Sequence, residues 1–203
     1  MSLDNASLTV YGDSISGNCL KVKFVAERLG IPFDWVETSV LANETRTPEF
    51  LAMNPAGQVP LAVFAGNGPL AQSNAIMLYL AEGSDLIPRD AFERAKMYEW
   101  LFWEQYSHEP AIAVLRFHRH YLNKPDAEID PALPGRCDRV LALMNNHLAG
   151  GHYFAGEKLS LADIALVAYT RFSHEACIDL AQYPNVAAWV RRVEDDLNIE
   201  HAQ

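Results

Sequence analysis

Position 60 is a proline at the point where an apolar run begins, in Asn54-Pro55-Ala56-Gly57-Gln58-Val59-Pro60-Leu61. Proline has no N–H to give to a ladder, so it fits only the start or the edge of a strand. The Val59–Pro60 bond is also a candidate cis peptide, which folds keep for a reason. Farther on, Gln72-Ser73-Asn74-Ala75-Ile76 puts Gln and Ser at the head of an apolar-periodic segment. Free backbone N–H groups at such a helix start collect anions. A chain with both pieces offers a strand-like edge to a peptide and a helix start to its carboxylate. The pair suits a small, acidic, peptide-like ligand.

The surrounding pattern predicts the frame that carries these pieces. Residues 7–12 read as a strand, 13–17 as a turn, and Leu20 to Leu29 as a helix with Leu20, Phe24, Val25 and Leu29 in helical period. Gly30 follows as a natural stop. Phe33 to Thr38 alternates, so strand, helix and strand form a βαβ unit with a parallel pair. Thr47-Pro48 has the form of an N-cap followed by proline at the first helical position. Leu61 to Phe64 and Pro69 to Ala71 flank Gly66-Asn67-Gly68 as a hairpin, and Ser73 to Ala81 closes the half as a helix. The order is β-α-β-α-β-β-α.

After residue 90 no useful strand pattern appears. Ala91 to Leu122 reads as one long helix kinked at Pro110, with helices at 134–148, 160–172 and 184–193 after it. The fold class is therefore α/β plus all-α: residues 1–82 as an α/β domain, 83–89 as a linker, and 90–203 as a helical bundle. At 203 residues the chain is long enough for both domains to have a real core.

Charge and cysteine usage exclude several functions. The formal net charge of -10 leaves no basic stripe for a nucleic acid. No run of apolar residues is long enough to span a bilayer, so no membrane partner is expected. The first residues lack a basic n-region, so no secretory signal is expected and a cytoplasmic location is the simplest reading. Cys19, Cys137 and Cys177 are far apart, with no C-x-x-C pair, which argues against a disulfide framework and against a zinc site. Cys137 and Cys177 read as core thiols. His118-Arg119-His120 does not make a metal site either, because alternate residues on a helix face different ways. No metal is expected.

The loop Gly12-Asp13-Ser14-Ile15-Ser16-Gly17-Asn18-Cys19 carries the chemistry. It follows the first strand and opens the first helix, where ligands of α/β sheets bind. A helix N-terminus stabilises a nearby anion by about 0.3–1 kcal/mol, up to about 2 when partly buried. A donor to a charged group adds about 1.5–3 kcal/mol. Ser16, Asn18 and the loop amides can thus lower a bound thiol by about one to three pKa units from its free value near 8.5. The same two residues would also serve simply as helix caps. Cys19 occupies the deeper position of a C-x-x-C-like spacing, which reads as a packed thiol rather than a nucleophile. Ser160-Leu161-Ala162-Asp163 is a capping box, with Leu159 and Ile164 as its hydrophobic staple, and reports on the fold alone. The stripe Tyr98, Trp100, Phe102, Trp103 and Tyr106 reads mostly as core packing.

These motifs together resemble the cytosolic glutathione transferase superfamily. The match runs from Ser16-Gly17-Asn18-Cys19-Leu20-Lys21-Val22 through Leu29-Gly30-Ile31-Pro32-Phe33 and Asn54-Pro55-x-Gly57-Gln58-Val59-Pro60. It continues in Gln72-Ser73-x-Ala75-Ile76-x-x-Tyr79-Leu80, Ser160-x-x-Asp163 and Tyr183-Pro184-Asn185-Val186-x-x-Trp189. Each motif alone is weak, whereas their order and spacing together are strong. The resemblance implies a thioredoxin-like domain before a helical domain, a homodimer, and glutathione as the bound co-substrate. It implies that Val59 pairs with the cysteinyl part of glutathione ahead of a cis Pro60. It implies that Ser73, beside Gln72, holds the γ-glutamyl carboxylate, with Gln58 and Arg46 toward the glycyl end. The hydroxyl-x-amide pattern of some bacterial members points to Ser16 with Asn18 at the sulfur, while Ser14 stays open.

The expected activity is transfer of glutathione, as thiolate, to a small hydrophobic electrophile seated against Tyr106 and Arg116. Glutathione-dependent reduction of disulfides or peroxides is the alternative enzyme reading. A binder without catalysis is the third.

Overall fold

The computed structural model describes residues 7–202. It separates into two compact units, one ending at Ser84 and the other beginning at Asp85. The first is a four-stranded sheet in the order β2-β1-β3-β4, built from β1 (Leu8–Gly12), β2 (Asp34–Glu37), β3 (Leu61–Phe64) and β4 (Gly68–Ala71). β1 runs parallel to β2, with Val10 opposite Trp35, and antiparallel to β3, with Tyr11 opposite Leu61. β3 and β4 form the hairpin, Leu61 facing Ala71. In β1, Leu8, Val10 and Gly12 are buried while Thr9 and Tyr11 are half-buried, the period-2 alternation of a strand with one core face. Helices α1 (Gly17–Arg28), α2 (Pro48–Met53) and α3 (Ser73–Leu80) complete the order β-α-β-α-β-β-α of a thioredoxin-like unit, and α1 packs against α3.

Local chemistry sets the ends of these elements. Thr47 caps α2, its hydroxyl accepting from the Phe50 amide at 3.2 Å, and Pro48 takes the first helical position. Gly30 stands at φ 65° just past α1, in the left-handed region where a glycine costs nothing. α1 itself starts at Gly17, three residues before the apolar period becomes visible at Leu20. Sequence periodicity marks the buried face of a helix, not its first turn.

The second unit is helical: α4 (Ala91–Trp103), α5 (Glu109–Arg116), α6 (Leu133–His147), α7 (Leu161–Thr170) and α8 (Pro184–Leu197). Every residue of α7 is buried, as befits an axis with apolar residues on all sides. Its N-terminus holds a closed polar cluster. The Asp163 carboxylate accepts from the Ser160 amide (3.0 Å) and hydroxyl (2.8 Å), from the Phe154 amide (2.9 Å) and from the Trp189 indole N–H (3.0 Å). Burial pushes this carboxyl up to about 6 against the pull of those four donors.

Several expectations for this unit need correction. Just before Pro110 the long helix widens into a π-helical turn over Glu104–His108, and Pro110 then sits in the first turn of α5. Proline lacks the N–H for the usual bond and crowds the carbonyl four residues back, and one extra residue in the turn relieves both. Phe102 and Tyr106 are not core residues, being 75% and 88% exposed, although Trp100 is buried. Cys137 is buried as expected, but Cys177 is exposed and closes a short turn with φ 55°. Among the described residues no helix is long and apolar enough to cross a membrane.

Candidate functional site

The strand register brings the sequence motifs to one edge of the sheet. Tyr11 pairs with Leu61 and Leu61 with Ala71, so the end of β1, the start of β3 and the end of β4 lie side by side. The β1–α1 loop, the segment before β3 and the head of α3 leave that edge together. Ser73 Oγ donates to Asn18 Oδ1 at 3.2 Å across this junction, linking residues 55 positions apart.

Two carboxylates pin the β1–α1 loop to the segment around β2. The buried Asp13 accepts from the Ile15 amide at 3.1 Å and from the Val40 amide at 2.7 Å. Glu37 accepts from the Ser14 amide at 2.8 Å, the Ser14 hydroxyl at 2.6 Å and the Trp35 indole at 2.8 Å. Burial raises the Glu37 carboxyl somewhat, but those donors outweigh it and hold the group below its ordinary range. The Ser14 hydroxyl is therefore committed to a carboxylate. Cys19 is also occupied: it is wholly buried, its sulfur accepts from the Asp13 amide at 3.3 Å, and burial pushes the thiol up to about 12. Such a thiol stays protonated at neutral pH and is a poor nucleophile. Ser16 is the N-cap residue of α1 yet makes no side-chain cap bond; its hydroxyl lies beside the Cys19 sulfur.

The head of α3 has the same incomplete capping. Gln72 is the N-cap residue, exposed, with φ 74° and no side-chain cap bond, and the first turn carries no acid. A non-glycine residue held at positive φ is uncommon and marks functional segments more often than neutral ones. Ser73 is 5% exposed, with its hydroxyl at the junction.

The third wall is the segment ahead of β3, where the Val59–Pro60 peptide is cis. Val59 precedes the first laddered residue, Leu61, so its amide and carbonyl stand outside the sheet's hydrogen bonds. That is the free edge an extended peptide needs for pairing. Asn54 braces the segment, its amide donating to the Gln58 carbonyl at 2.7 Å. Arg46 lies over the same loop and donates to the Ala56 carbonyl at 3.4 Å. Gly57, at φ 62°, has no side chain because a Cβ there would run into that guanidinium. Arg46 and Gln58 are both exposed, the one cationic and the other amide.

The chain also matches known proteins. Residues 15–82 match the family described as "Glutathione S-transferase, N-terminal domain", and residues 101–196 its C-terminal domain. Glutathione S-transferase 3 of Zea mays is 33% identical over 198 residues, covering 91% of this chain and 87% of its own. The chain belongs to the glutathione transferase family. A solved glutathione S-transferase from Pseudomonas fluorescens Pf-5 is 41% identical to this transferase, with a TM-score of 0.89 over 92% of this chain and 94% of the other. One from Xanthobacter autotrophicus Py2 is 44% identical, with a TM-score of 0.86 over 92% of each chain.

The transferase brings Ser16, Asn18, Val59, Pro60, Gln72 and Ser73 to one edge of its sheet unit, with Arg46 and Gln58 on the adjoining loop. The helical unit's two candidates differ. Tyr106 is exposed, but Arg116 is a buried structural cation: its Nε donates to Glu175 at 2.6 Å, Nη2 to the Tyr121 hydroxyl at 2.8 Å, and it stacks on Phe172. A guanidinium so engaged is no wall for an apolar electrophile, because withdrawing it would strand Glu175. Sequence reasoning passed over Asp13, Lys21 and Glu37, the residues that hold the loop. Asp13, an acid within the Ser-rich loop, was the visible signal for one of them.

Proposed function

We propose that the transferase binds glutathione along the Val59–Pro60 edge and holds its sulfur as a thiolate, which then attacks a small electrophile. The observation that carries this reading is the Ser73–Asn18 contact of 3.2 Å, which sets a carboxylate-catching helix start beside the sulfur-side loop. The γ-glutamyl carboxylate takes the head of α3 at Gln72 and Ser73, where the backbone N–H groups and helix dipole favour negative charge. The cysteinyl unit adds to the sheet edge at Val59 as a strand-like segment. The glycyl carboxylate is drawn toward Arg46 and Gln58.

The sulfur then lies at the head of α1. The Ser16 hydroxyl donates to it, since Ser14 is committed to Glu37 and Cys19 is buried, and the Asn18 amide supplies a second donor. Donors aimed at the anion favour it over the thiol and lower its pKa. The glutathione sulfur loses its proton to water, forms a bond to the electrophilic carbon, and the leaving group departs with the bonding pair. The protein provides orientation and a fixed polar environment, while the nucleophile comes from the co-substrate. Tyr106 is the helical unit's candidate for contact with the electrophile. The same reading takes the transferase to be a cytosolic homodimer.

Calorimetric titration with glutathione, followed by the ultraviolet absorbance of the thiolate across pH, tests this reading. Expected are binding at or below millimolar concentration and ionisation of the bound thiol at lower pH than in free glutathione. No heat of binding at millimolar glutathione overturns it.

A further inference from the structure

Lys21 lies in the second turn of α1 with its side chain wholly buried. Lysine is among the residues least often found in that state, because its ammonium is costly to dehydrate. Leucine or methionine would fill the same volume at no such cost. Among its contacts, the Lys21 Nζ donates to Asn18 Oδ1 at 2.8 Å, the same oxygen that accepts from Ser73 Oγ at 3.2 Å.

We propose that Lys21 is a positioning residue, which locks the Asn18 carboxamide and so keeps it aimed at the head of α1 for thiolate stabilisation while Ser73 turns to the arriving carboxylate. This rests on the glutathione reading above. A carboxamide has one acceptor end and one donor end. Two donors on Oδ1 settle which end faces Lys21 and Ser73, and the Nδ2 hydrogens therefore point away from them. The Ser73 hydroxyl carries a single proton, which it gives to Asn18 here. A carboxylate arriving at the head of α3 competes for that proton, and Ser73 turns to it. The Lys21 bond does not draw on that hydroxyl, so Asn18 keeps its orientation while Ser73 changes partner.

The test compares the wild-type protein with Lys21→Met and Lys21→Gln, and adds Asn18→Ala alone and combined with Lys21→Met. Readouts are calorimetric affinity for glutathione, the pKa of the bound thiol from thiolate absorbance, and kcat and KM with an aryl halide. Lys21→Met is expected to raise the bound thiol's pKa by about one unit, which is about tenfold less thiolate at neutral pH. It should lower kcat/KM there by a similar factor, with Lys21→Gln in between because it keeps a donor without the charge. In the double variant the two losses should not add, since Lys21 acts through Asn18. A folded Lys21→Met that binds and ionises glutathione like wild type overturns the proposal and leaves the glutathione reading intact. Strictly additive losses overturn it as well. Failure of both Lys21 variants to fold assigns the residue to the core and also overturns it. Failure of the wild-type protein to bind glutathione sinks the underlying reading itself.

Discussion

Ser16 and Ser160 occupy the same position, the N-cap of α1 and of α7, and they are used in opposite ways. At α7 the cap is closed. Asp163 gathers four donors, and nothing at that helix start is left for a ligand. At α1 the first turn has no acid and the serine makes no cap bond. Both helices must satisfy the orphan N–H groups of a first turn. One does so with the side chains of a capping box, and the other without a cap from its N-cap side chain. α3, with Gln72 at its head and no acid in its first turn, belongs with α1. The saturated helix start holds the fold, and the two whose N-cap side chains make no cap bond are the ones assigned to the ligand in the proposed reading.

The widest gap between the two should open when Asp163 is removed. Asp163→Ala leaves two buried amides, a hydroxyl and an indole N–H without their acceptor. An unsatisfied buried donor costs about 1–3 kcal/mol, and partial relaxation puts the total near 3–5 kcal/mol. Denaturant unfolding of wild type and variant measures this. A loss below about 1 kcal/mol would mean that the cluster does not hold the unit.

Ser16→Ala should do the reverse. The hydroxyl gives up only its hydrogen bond to the Cys19 sulfur, so stability should change by no more than about 1 kcal/mol. Conjugation at neutral pH should fall roughly 10- to 100-fold, the size of one hydrogen bond to a charged group. The pH–rate profile should move to higher pH by the same factor. An unchanged profile removes Ser16 from the mechanism.

Proton linkage sharpens the contrast further. The Asp163 carboxyl is raised to about 6 in the fold, against 3.8 as its ordinary value. In that window the folded state binds a proton that the unfolded chain has released. The stability contributed by this linkage is therefore complete below about pH 4 and is lost as pH rises through about 6. The difference in unfolding free energy between wild type and Asp163→Ala should narrow from pH 4 to pH 7. A gap that widens over the same range contradicts the raised value.

Much of this was legible in the sequence because the signals were local. The capping box at Ser160, the Thr47-Pro48 start and the Val59–Pro60 segment are each fixed by neighbours within a few residues, and each appears as read. The proline in the long helix was legible as a disturbance but not as its remedy, because a π turn is chosen by the packing of whole helices rather than by the proline alone. Phe102 and Tyr106 looked like core because aromatic residues usually are; which face of α4 meets the rest of the unit is not written in α4 itself. The pairing of Arg116 was closed to sequence for a related reason, since its partner Glu175 lies 59 positions away. The choice between Ser14 and Ser16 was closed to sequence because it turns on Glu37, in a different strand.

That last contact gives the smallest and most pointed comparison, between two serines of one loop. Ser14→Ala removes the hydroxyl that Glu37 accepts at 2.6 Å but keeps the amide bond at 2.8 Å. The clamp is exposed, so its loss should cost about 1 kcal/mol or less. The bound thiol's pKa should not move, in contrast to Ser16→Ala. The pH signature also has the opposite sign to that of Asp163. Glu37 is held below its ordinary range, so its contribution is present above about pH 4.5, its ordinary value, and is lost as pH falls through the folded one. The stability difference between wild type and Ser14→Ala should accordingly shrink on acidification. If Ser14→Ala instead raises the bound thiol's pKa as far as Ser16→Ala does, the loop serves the sulfur as a whole, and the assignment to a single hydroxyl fails.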